Sequence, residues 1–325
     1  MEGAIAMSES LQINGVEIEA TFAEAFDMKA TRIIITADDQ QWADEAAAAM
    51  TGFGTSVIAC KIEIDVERRL QPNQTPDGRP GVAILAFAVS GSELEKQIPV
   101  RAGQCVLTCP TTALFAGIDG DAATLPKRIP LGKTLRYFGD GHQISKIIGG
   151  QRFWRVPVMD GEFLCAHDVG RVDGIGGGNF LLMADSMRAA TSACRAAVAA
   201  IKDLPGVITP FPGGATRSGS KVGSKYKTLM ASTNEAYSPA LLGWPPKANS
   251  TGDSASDQSA LSDDIRAVLE VVIDGMSFDL IADAMRVGIH AACDAGGGNG
   301  LLRVTAGNYG GKLGRHHFKL AEILK

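Results

Sequence analysis

Phe180-Leu181-Leu182-Met183-Ala184-Asp185, an apolar run closed by an acid and followed by an Ala-rich stretch from Ser186 to Lys202, repeats a pattern met earlier in the chain. The earlier copy is Arg32-Ile33-Ile34-Ile35-Thr36-Ala37, with Asp38 and Asp39 as helix N-cap candidates, before the Ala-rich Gln41 to Met50. Each copy predicts a strand leading into a helix, because a short β-branched or apolar run suits a buried strand and alanine suits a helix. In the first half, Gly52 and Gly54 precede Ser56-Val57-Ile58-Ala59-Cys60, read as a second strand, and the turn-rich Thr75 to Gly81 precedes a third at Val82 to Val89. Ser92 with Glu95 forms a capping-box pattern for a short helix, and Cys105-Val106-Leu107-Thr108-Cys109 reads as a fourth strand ended by Pro110. In the second half, Gly206-Val207-Ile208-Thr209 matches the second strand and Ala267 to Ile273 supplies a further one. A helix follows with Ile281, Met285 and Ile289 on one face, and Leu301 to Thr305 closes the set. The doubled order predicts an α+β protein of two ferredoxin-like split-βαβ lobes arising from an internal duplication. The expected lobes are residues 11–150 and 151–325, with the C-terminal tail packing on the first.

Between the halves, Phe153 to Met159 and Glu162 to Cys165 flank Asp160-Gly161, a short hairpin signal. Residues 245–262, opened by Pro245-Pro246 and rich in Ser, Asp, Ala and Gly, have no apolar period and read as a flexible surface loop without chemistry.

At 325 residues with 45% hydrophobic side chains, the chain has enough material for two cores. A formal charge of -5 without a basic block excludes general nucleic-acid binding, and no apolar stretch reaches the roughly 18 residues of a membrane helix. The N-terminus, with Glu2 and Glu9 and no basic region before an apolar stretch, does not read as a secretory signal. Six cysteines without short paired spacings read as reduced thiols, which points to the cytoplasm.

Several motifs are weaker than they look. Gly174-x-Gly176-Gly177-Gly178 precedes a strand, whereas a dinucleotide fingerprint needs a helix there; Gly-Gly-Gly-Asn recurs at 296–299, again before a strand, so both read as a repeated strand-entry turn. Gly132-Lys133-Thr134 lacks the upstream glycine of a phosphate loop, since position 127 is Lys. The five histidines show no metal-ligand spacing with a carboxylate, and no serine sits in a nucleophile elbow. Cys105 or Cys109 could be a nucleophile, though cysteines on apolar segments are more often inert.

Two features carry chemistry. Glu270 interrupts the apolar strand Ala267 to Ile273; buried, such a carboxyl is held protonated near neutrality and donates a proton, while on a half-exposed strand it simply faces water. Alternation leaves both readings open, and the side shared with Val268 and Val272 favours burial slightly. The second feature is a set of Gly-rich loops with Lys, Arg, Ser and Asn donors suited to an anionic small molecule: Pro210 to Gly214, Arg217 to Lys225, and Ala306 to Lys312.

Longer blocks are more specific. Ile13-Asn14-Gly15-Val16-Glu17-Ile18, Thr21-Phe22-Ala23-Glu24-Ala25-Phe26, Thr75 to Gly81, Gly103 to Thr112, Gly206 to Gly214, Ser218 to Gly223 and Thr305 to Gly314 together resemble the formylmethanofuran:tetrahydromethanopterin formyltransferase family, from residue 11 to the C-terminus. The resemblance implies reversible formyl transfer between methanofuran, or methylofuran, and N5 of tetrahydromethanopterin, directly in a ternary complex. It implies no tightly bound cofactor and no metal, the two coenzymes acting as co-substrates. It also implies a homo-oligomer, dimer or tetramer, with active sites in junction clefts. Glu270 is then the carboxyl that handles the proton. Lys221, Lys225 and Lys312 meet coenzyme carboxylates or phosphate, Phe211 or Tyr309 stacks on a ring, and Ser218, Ser220, Asn308, Gly310 and Gly311 complete the contacts. The Ala-rich composition, the extra ten residues at the start and the 245–262 loop depart from the archaeal members of the family and point to the related bacterial subunit of a formyltransferase/hydrolase complex, whose separate metal-dependent formylmethanofuran hydrolase partner would release formate. Two other classes stay open: a hydrolase in its own right, for which the metal ligands are missing, and a non-catalytic carrier-binding scaffold.

Overall fold

The computed structural model describes residues 11–120, 123–241 and 261–325. All but Leu261 and Ser262 of the expected surface loop 245–262 lie outside them. The Arg32–Ala37 run belongs to a strand of 15 residues, β1 (Phe22–Thr36). The first unit continues through α1 (Gln40–Thr51), β2 (Glu63–Leu70), β3 (Gly81–Ala88), α2 (Gly91–Arg101) and β4 (Ala113–Ala116). A hairpin, β5 (Gln151–Val158) and β6 (Gly161–Ala166), turns at Asp160-Gly161 as expected. The second unit is β7 (Val172–Ala184), α3 (Met187–Lys202), β8 (Val207–Ile208), β9 (Ala267–Gly275), α4 (Phe278–Gly296) and β10 (Leu301–Thr305), followed by β11 (His316–Lys319).

Strand neighbours run β4-β1-β3-β2 in the first unit and β10-β7-β9-β8 in the second, so both units have the same order along the chain and across the sheet. Asp39 caps α1 by accepting the Trp42 N–H, and Ser186 caps α3 in the same way from Ala189. In the first unit, α1 and α2 bury Ala43, Ala47, Met50, Leu94 and Ile98 against Ile33, Ile35, Val82 and Ile84. In the second, α3 and α4 bury Ala193, Ala197, Ile281, Met285 and Ile289 against Phe180, Leu182, Leu269, Val271 and Ile273. Each such buried Ile or Leu contributes about 1.5–3 kcal/mol of transfer free energy. Small residues let α3 and α4 approach closely: a Cβ on Gly288 would lie 2.7 Å from Ile201 Cδ1.

The units share one large mixed sheet because β1 and β7 are both longer than either core requires. Ala30↔Val172 through Phe26↔Gly176 pair the two strands antiparallel, and Met28, Ala30, Leu85, Phe87 and Ile208 form a small joining core. The chain ends cross over. The hairpin Leu11–Ile13 with Val16–Ile18 adds to β10, and Val16 and Ile18 lie in the second core. β6 instead runs parallel to β4, and Val156, Phe163 and Cys165 lie in the first core. β11 pairs with Phe22–Ala25 of β1 while Phe318 and Leu320 pack in the second core.

Four local expectations need correction. Residues 56–60 form a turn, and the strand is β2, whose five charged residues hide it from any apolar pattern. Cys105–Cys109 is not a strand: α2 runs on into a π-turn over Ala102–Val106, and the strand begins only after Thr111, at Ala113. The cap of α2 is Ser90, whose Oγ accepts the Glu93 N–H at 3.2 Å, not Ser92. Gly174 to Gly178 lie inside β7 at a register shift between Ile175 and Gly178, whereas residues 296–299 link α4 to β10, so the two glycine runs are not equivalent turns.

Candidate active site

β9 alternates as a strand must: Leu269, Val271 and Ile273 are buried in the helical core, which leaves Val268, Glu270, Val272 and Asp274 on the opposite face. Val268 and Val272 are only half-buried, so the side that was expected to favour burial is the more open one. Glu270 is nevertheless desolvated, and that burial pushes its carboxyl up to about 7. The edge of β9 is closed at this point by a bridge in which the Glu270 N–H donates to Thr216 O at 2.9 Å and the Thr216 N–H donates to Glu270 O at 2.8 Å. A pocket opens over the carboxyl, floored by Leu181 and Val268 and walled by Thr216 to Gly219 and by Tyr237 and Ser238. The Tyr237 phenol is hydrogen-bonded to the Thr305 side chain, and burial followed by nearby acids, Glu270 among them, raises its pKa.

Tyr309 approaches from the C-terminal loop, its pKa raised by burial and then by the charges of Glu270, Glu24 and Glu63. Its ring lies 5.7 Å from that of Phe26. The loop folds around Glu24, a fully buried carboxylate on β1 that accepts four backbone N–H groups: Tyr309 at 2.7 Å, Gly311 at 2.8 Å, Leu313 at 2.6 Å and Gly314 at 2.5 Å. Burial opposes its ionisation, but the amides outweigh it and hold the carboxyl below the ordinary range. Asn179 fastens the start of the same loop, accepting the Gly307 N–H at 2.6 Å and donating to Gly307 O at 3.2 Å.

Of the residues singled out from sequence, Glu270 and Ser218 line this pocket, with Arg217 and Gly219 of the same loop, and Tyr309 is close enough to feel the Glu270 charge. Asn308 is exposed, its side chain accepting the Gly310 N–H at 3.1 Å and donating to Phe22 O at 3.4 Å. Gly310 and Gly311 adopt positive φ of 82° and 70°, which lets the loop turn inside out around Glu24. Ser220 pairs with Thr233 in a small hairpin. Lys221 is engaged by Glu235, Lys225 sits 4.9 Å over the Tyr226 ring, and Lys312 is exposed. Phe211 opens the turn Pro212–Gly214 and does not line the pocket. Sequence reading missed Glu24, Asn179, Thr216 and Tyr237, and reached Arg217 only as part of the Arg217–Lys225 loop. Only Glu24 left a signal, as a lone acid between Ala23 and Ala25.

A larger cavity of about 640 Å³ lies in the first unit, lined by Leu107, Cys109, Phe138, Val158 and Met159. It gathers little that is polar, and burial followed by the charges of Glu45 and Asp160 pushes the Cys109 thiol up, away from nucleophilic use. Among the described residues, no group of three His, Cys, Asp or Glu side chains is placed to hold a metal ion.

Fold and pocket together define a two-unit α+β protein that carries a protonatable carboxyl on β9 and a glycine loop pinned by a second carboxylate. Residues 11–158 match the family model "Formylmethanofuran-tetrahydromethanopterin formyltransferase" and residues 161–323 the model "FTR, proximal lobe". A formylmethanofuran–tetrahydromethanopterin formyltransferase of Rhodopirellula baltica is 63% identical over 100% of this chain and 96% of its own length. The crystal structure of the formyltransferase/hydrolase complex from Methylorubrum extorquens with methylofuran contains a chain of TM-score 0.89 and 47% identity, covering 98% of this chain and 99% of that one. The formyltransferase of Methanosarcina barkeri matches with TM-score 0.85 and 44% identity, over 96% of this chain and 100% of that one. The chain belongs to the formylmethanofuran–tetrahydromethanopterin formyltransferase family.

Proposed function

We propose that the chain transfers a formyl group reversibly between formylmethanofuran, or formylmethylofuran, and N5 of tetrahydromethanopterin, directly in a ternary complex and without a tightly bound cofactor. The observation that carries this reading is Glu270: a carboxyl pushed up to about 7 by burial, in a pocket that Tyr237 helps to line and with its charge felt by Tyr309. Attack of an amine on a formamide carbon creates a tetrahedral oxyanion, and the departing amine then needs a proton. Protonated Glu270 supplies that proton, its carboxylate is reprotonated by the proton that the attacking N5 gives up, and backbone amides of the Arg217–Gly219 wall of the pocket stabilise the oxyanion. Ser218, Asn308, Tyr309, Gly310 and Gly311 are assigned to the reacting groups and the ring. Phe211 is assigned, like Tyr309, to stacking on a ring, and Ser220, Lys221, Lys225 and Lys312 are assigned to the anionic arms of the coenzymes, Lys221 after exchanging its Glu235 partner.

The matching strand orders support reading the units as duplicated ferredoxin-like lobes, nominally 11–150 and 151–325. Within that scheme the Leu11–Ile18 hairpin and the β5–β6 hairpin are exchanged between cores. We further read the protein as a homo-oligomer of the cytoplasm that assembles with metal-dependent hydrolase subunits. Exposed Ile144, Ile147 and Ile148 on an outer strand and six free cysteines support this, and no described helix is long and apolar enough to cross a membrane.

The test mixes the purified, metal-free chain with formylmethanofuran or formylmethylofuran and tetrahydromethanopterin, following formyl-tetrahydromethanopterin by ultraviolet absorbance. Product from the chain alone is expected. Binding of both carriers without product would replace the proposal with a carrier-binding subunit.

A further inference from the structure

Glu63 of β2 and Asp274 of β9 come from different units and meet in the interior, 8% and 0% exposed, with their carboxyls hydrogen-bonded to each other. Two ionised carboxylates are acceptors only, so this contact requires a proton between them. Their other contacts are backbone amides: Glu63 Oε1 accepts the Val57 N–H at 3.1 Å and Asp274 Oδ1 accepts the Gly177 N–H at 3.0 Å. Asp274 Oδ2 is buried and accepts no hydrogen bond from an amide, hydroxyl or cation of the described residues, and a proton between the two carboxyls would give it a partner.

The pair is connected to the site through one residue. Gly177, at φ +89°, gives its N–H to Asp274 and its carbonyl to Asn179 Nδ2 at 3.0 Å. Asn179 in turn clamps both backbone groups of Gly307, where the Tyr309 loop begins. Close packing keeps this line taut: a Cβ on Gly176 would stand 2.9 Å from Asp274 Oδ1 and 1.9 Å from Met28 Sδ.

We infer that Glu63 and Asp274 share one proton and act as a positioning pair, holding the Gly177 amide and, through Asn179, the Gly307–Gly311 loop beside Glu270. The inference rests on the formyl-transfer reading for its kinetic consequence only. Burial raises both carboxyls, Asp274 further through the Glu63 charge. Of the groups around them, the turn at Val57, Met28 of β1, Gly177 of β7 and Ile208 of β8 bring no charge. The Tyr309 phenol feels Glu63, and on β2 itself Glu67 is bonded to Arg32. A raised pair stabilises the fold fully below the ordinary carboxylate range, and this contribution is lost as pH rises through the folded value.

The experiment compares wild type with Glu63→Gln, Asp274→Asn, Asp274→Ala and Asn179→Ala. It reads urea unfolding against pH, amide hydrogen exchange over residues 305–314, and KM with kcat for formyl transfer. Glu63→Gln keeps a donor-to-carboxylate contact at unchanged net charge, so its stability should fall less steeply with rising pH than that of wild type. Asp274→Ala and Asn179→Ala should speed exchange in the 305–314 loop about tenfold or more and raise KM more than they lower kcat. Asp274→Asn should restore both, and Asn179→Ala should keep the wild-type pH slope. An unchanged slope in Glu63→Gln would overturn the shared proton. Wild-type exchange in the Asn179→Ala loop, or in a folded Asp274→Ala, would overturn the positioning role. The unfolding and exchange arms report even if wild type transfers no formyl group, which separates failure of this inference from failure of the proposed activity.

Discussion

Glu270 owes its chemistry to its neighbours rather than to its type. A glutamate in water is ionised at neutral pH, whereas burial leaves this one close to half-protonated there. As the acid of the transfer step it must carry its proton, so turnover should decline as pH rises through about 7, and the pH–rate profile measures this limb. Glu270→Gln should lower kcat by about 10²-fold or more, remove that limb and leave the circular-dichroism spectrum unchanged; near-wild-type turnover would take Glu270 out of the mechanism. Its position was legible because a carboxyl inside an apolar strand is conspicuous. Asp274, two places further along the same strand face, was not, because it follows the last apolar residue, Ile273, and looks like an ordinary strand end.

The C-terminal loop shows how an element can depend on one anion. Glycines 307, 310, 311 and 314 let the backbone curl, but four amides would be left without acceptors if Glu24 were absent. Glu24→Gln substitutes a neutral amide for an acceptor-only carboxylate, and urea unfolding should show a loss of about 2 kcal/mol, with a rise in KM. Because the Glu24 pKa is lowered, its contribution is present above the ordinary carboxylate range and lost as pH falls through the folded value; the variant should lose less stability on acidification than wild type. Packing between elements is equally exacting at Gly178, where an added Cβ would lie 2.4 Å from Ile281 Cγ2 on α4. Gly178→Ala should cost about 1–3 kcal/mol through a shift of that helix, read by the urea midpoint. Glycine spacing alone suggested a turn here; the register shift within β7 and the closeness of α4 are consequences of tertiary packing.

At the scale of the molecule, the two units are tied by buried polar contacts as well as by the shared sheet. Glu67 of β2, 5% exposed, accepts from Arg32 Nε at 2.6 Å, Arg32 Nη2 at 2.7 Å and the Gly206 N–H of the second unit at 2.7 Å. Glu67→Ala strands a guanidinium and a buried amide, so stability should drop by about 3–5 kcal/mol. Since β1 of the first unit pairs with β7 of the second, unfolding should remain a single transition by fluorescence and circular dichroism; two separated transitions would show that the units are independent.

The sequence by itself determined the strand–helix order, the helical faces and the acid in β9, because side-chain periodicity and local capping are properties of neighbours along the chain. It also sufficed for the family, through blocks such as Thr305 to Gly314. Only the tertiary structure decided that β2 is a strand despite five charges, that the terminal and central hairpins exchange cores, and that Asp274, through Gly177 and Asn179, and Glu24 fasten one C-terminal loop. The buried acids are satisfied by partners far along the chain, such as Gly206, 139 positions from Glu67, and Gly177, 97 positions from Asp274. Such pairings leave no period in the sequence, since burial and satisfaction of a polar group depend on what folding brings beside it.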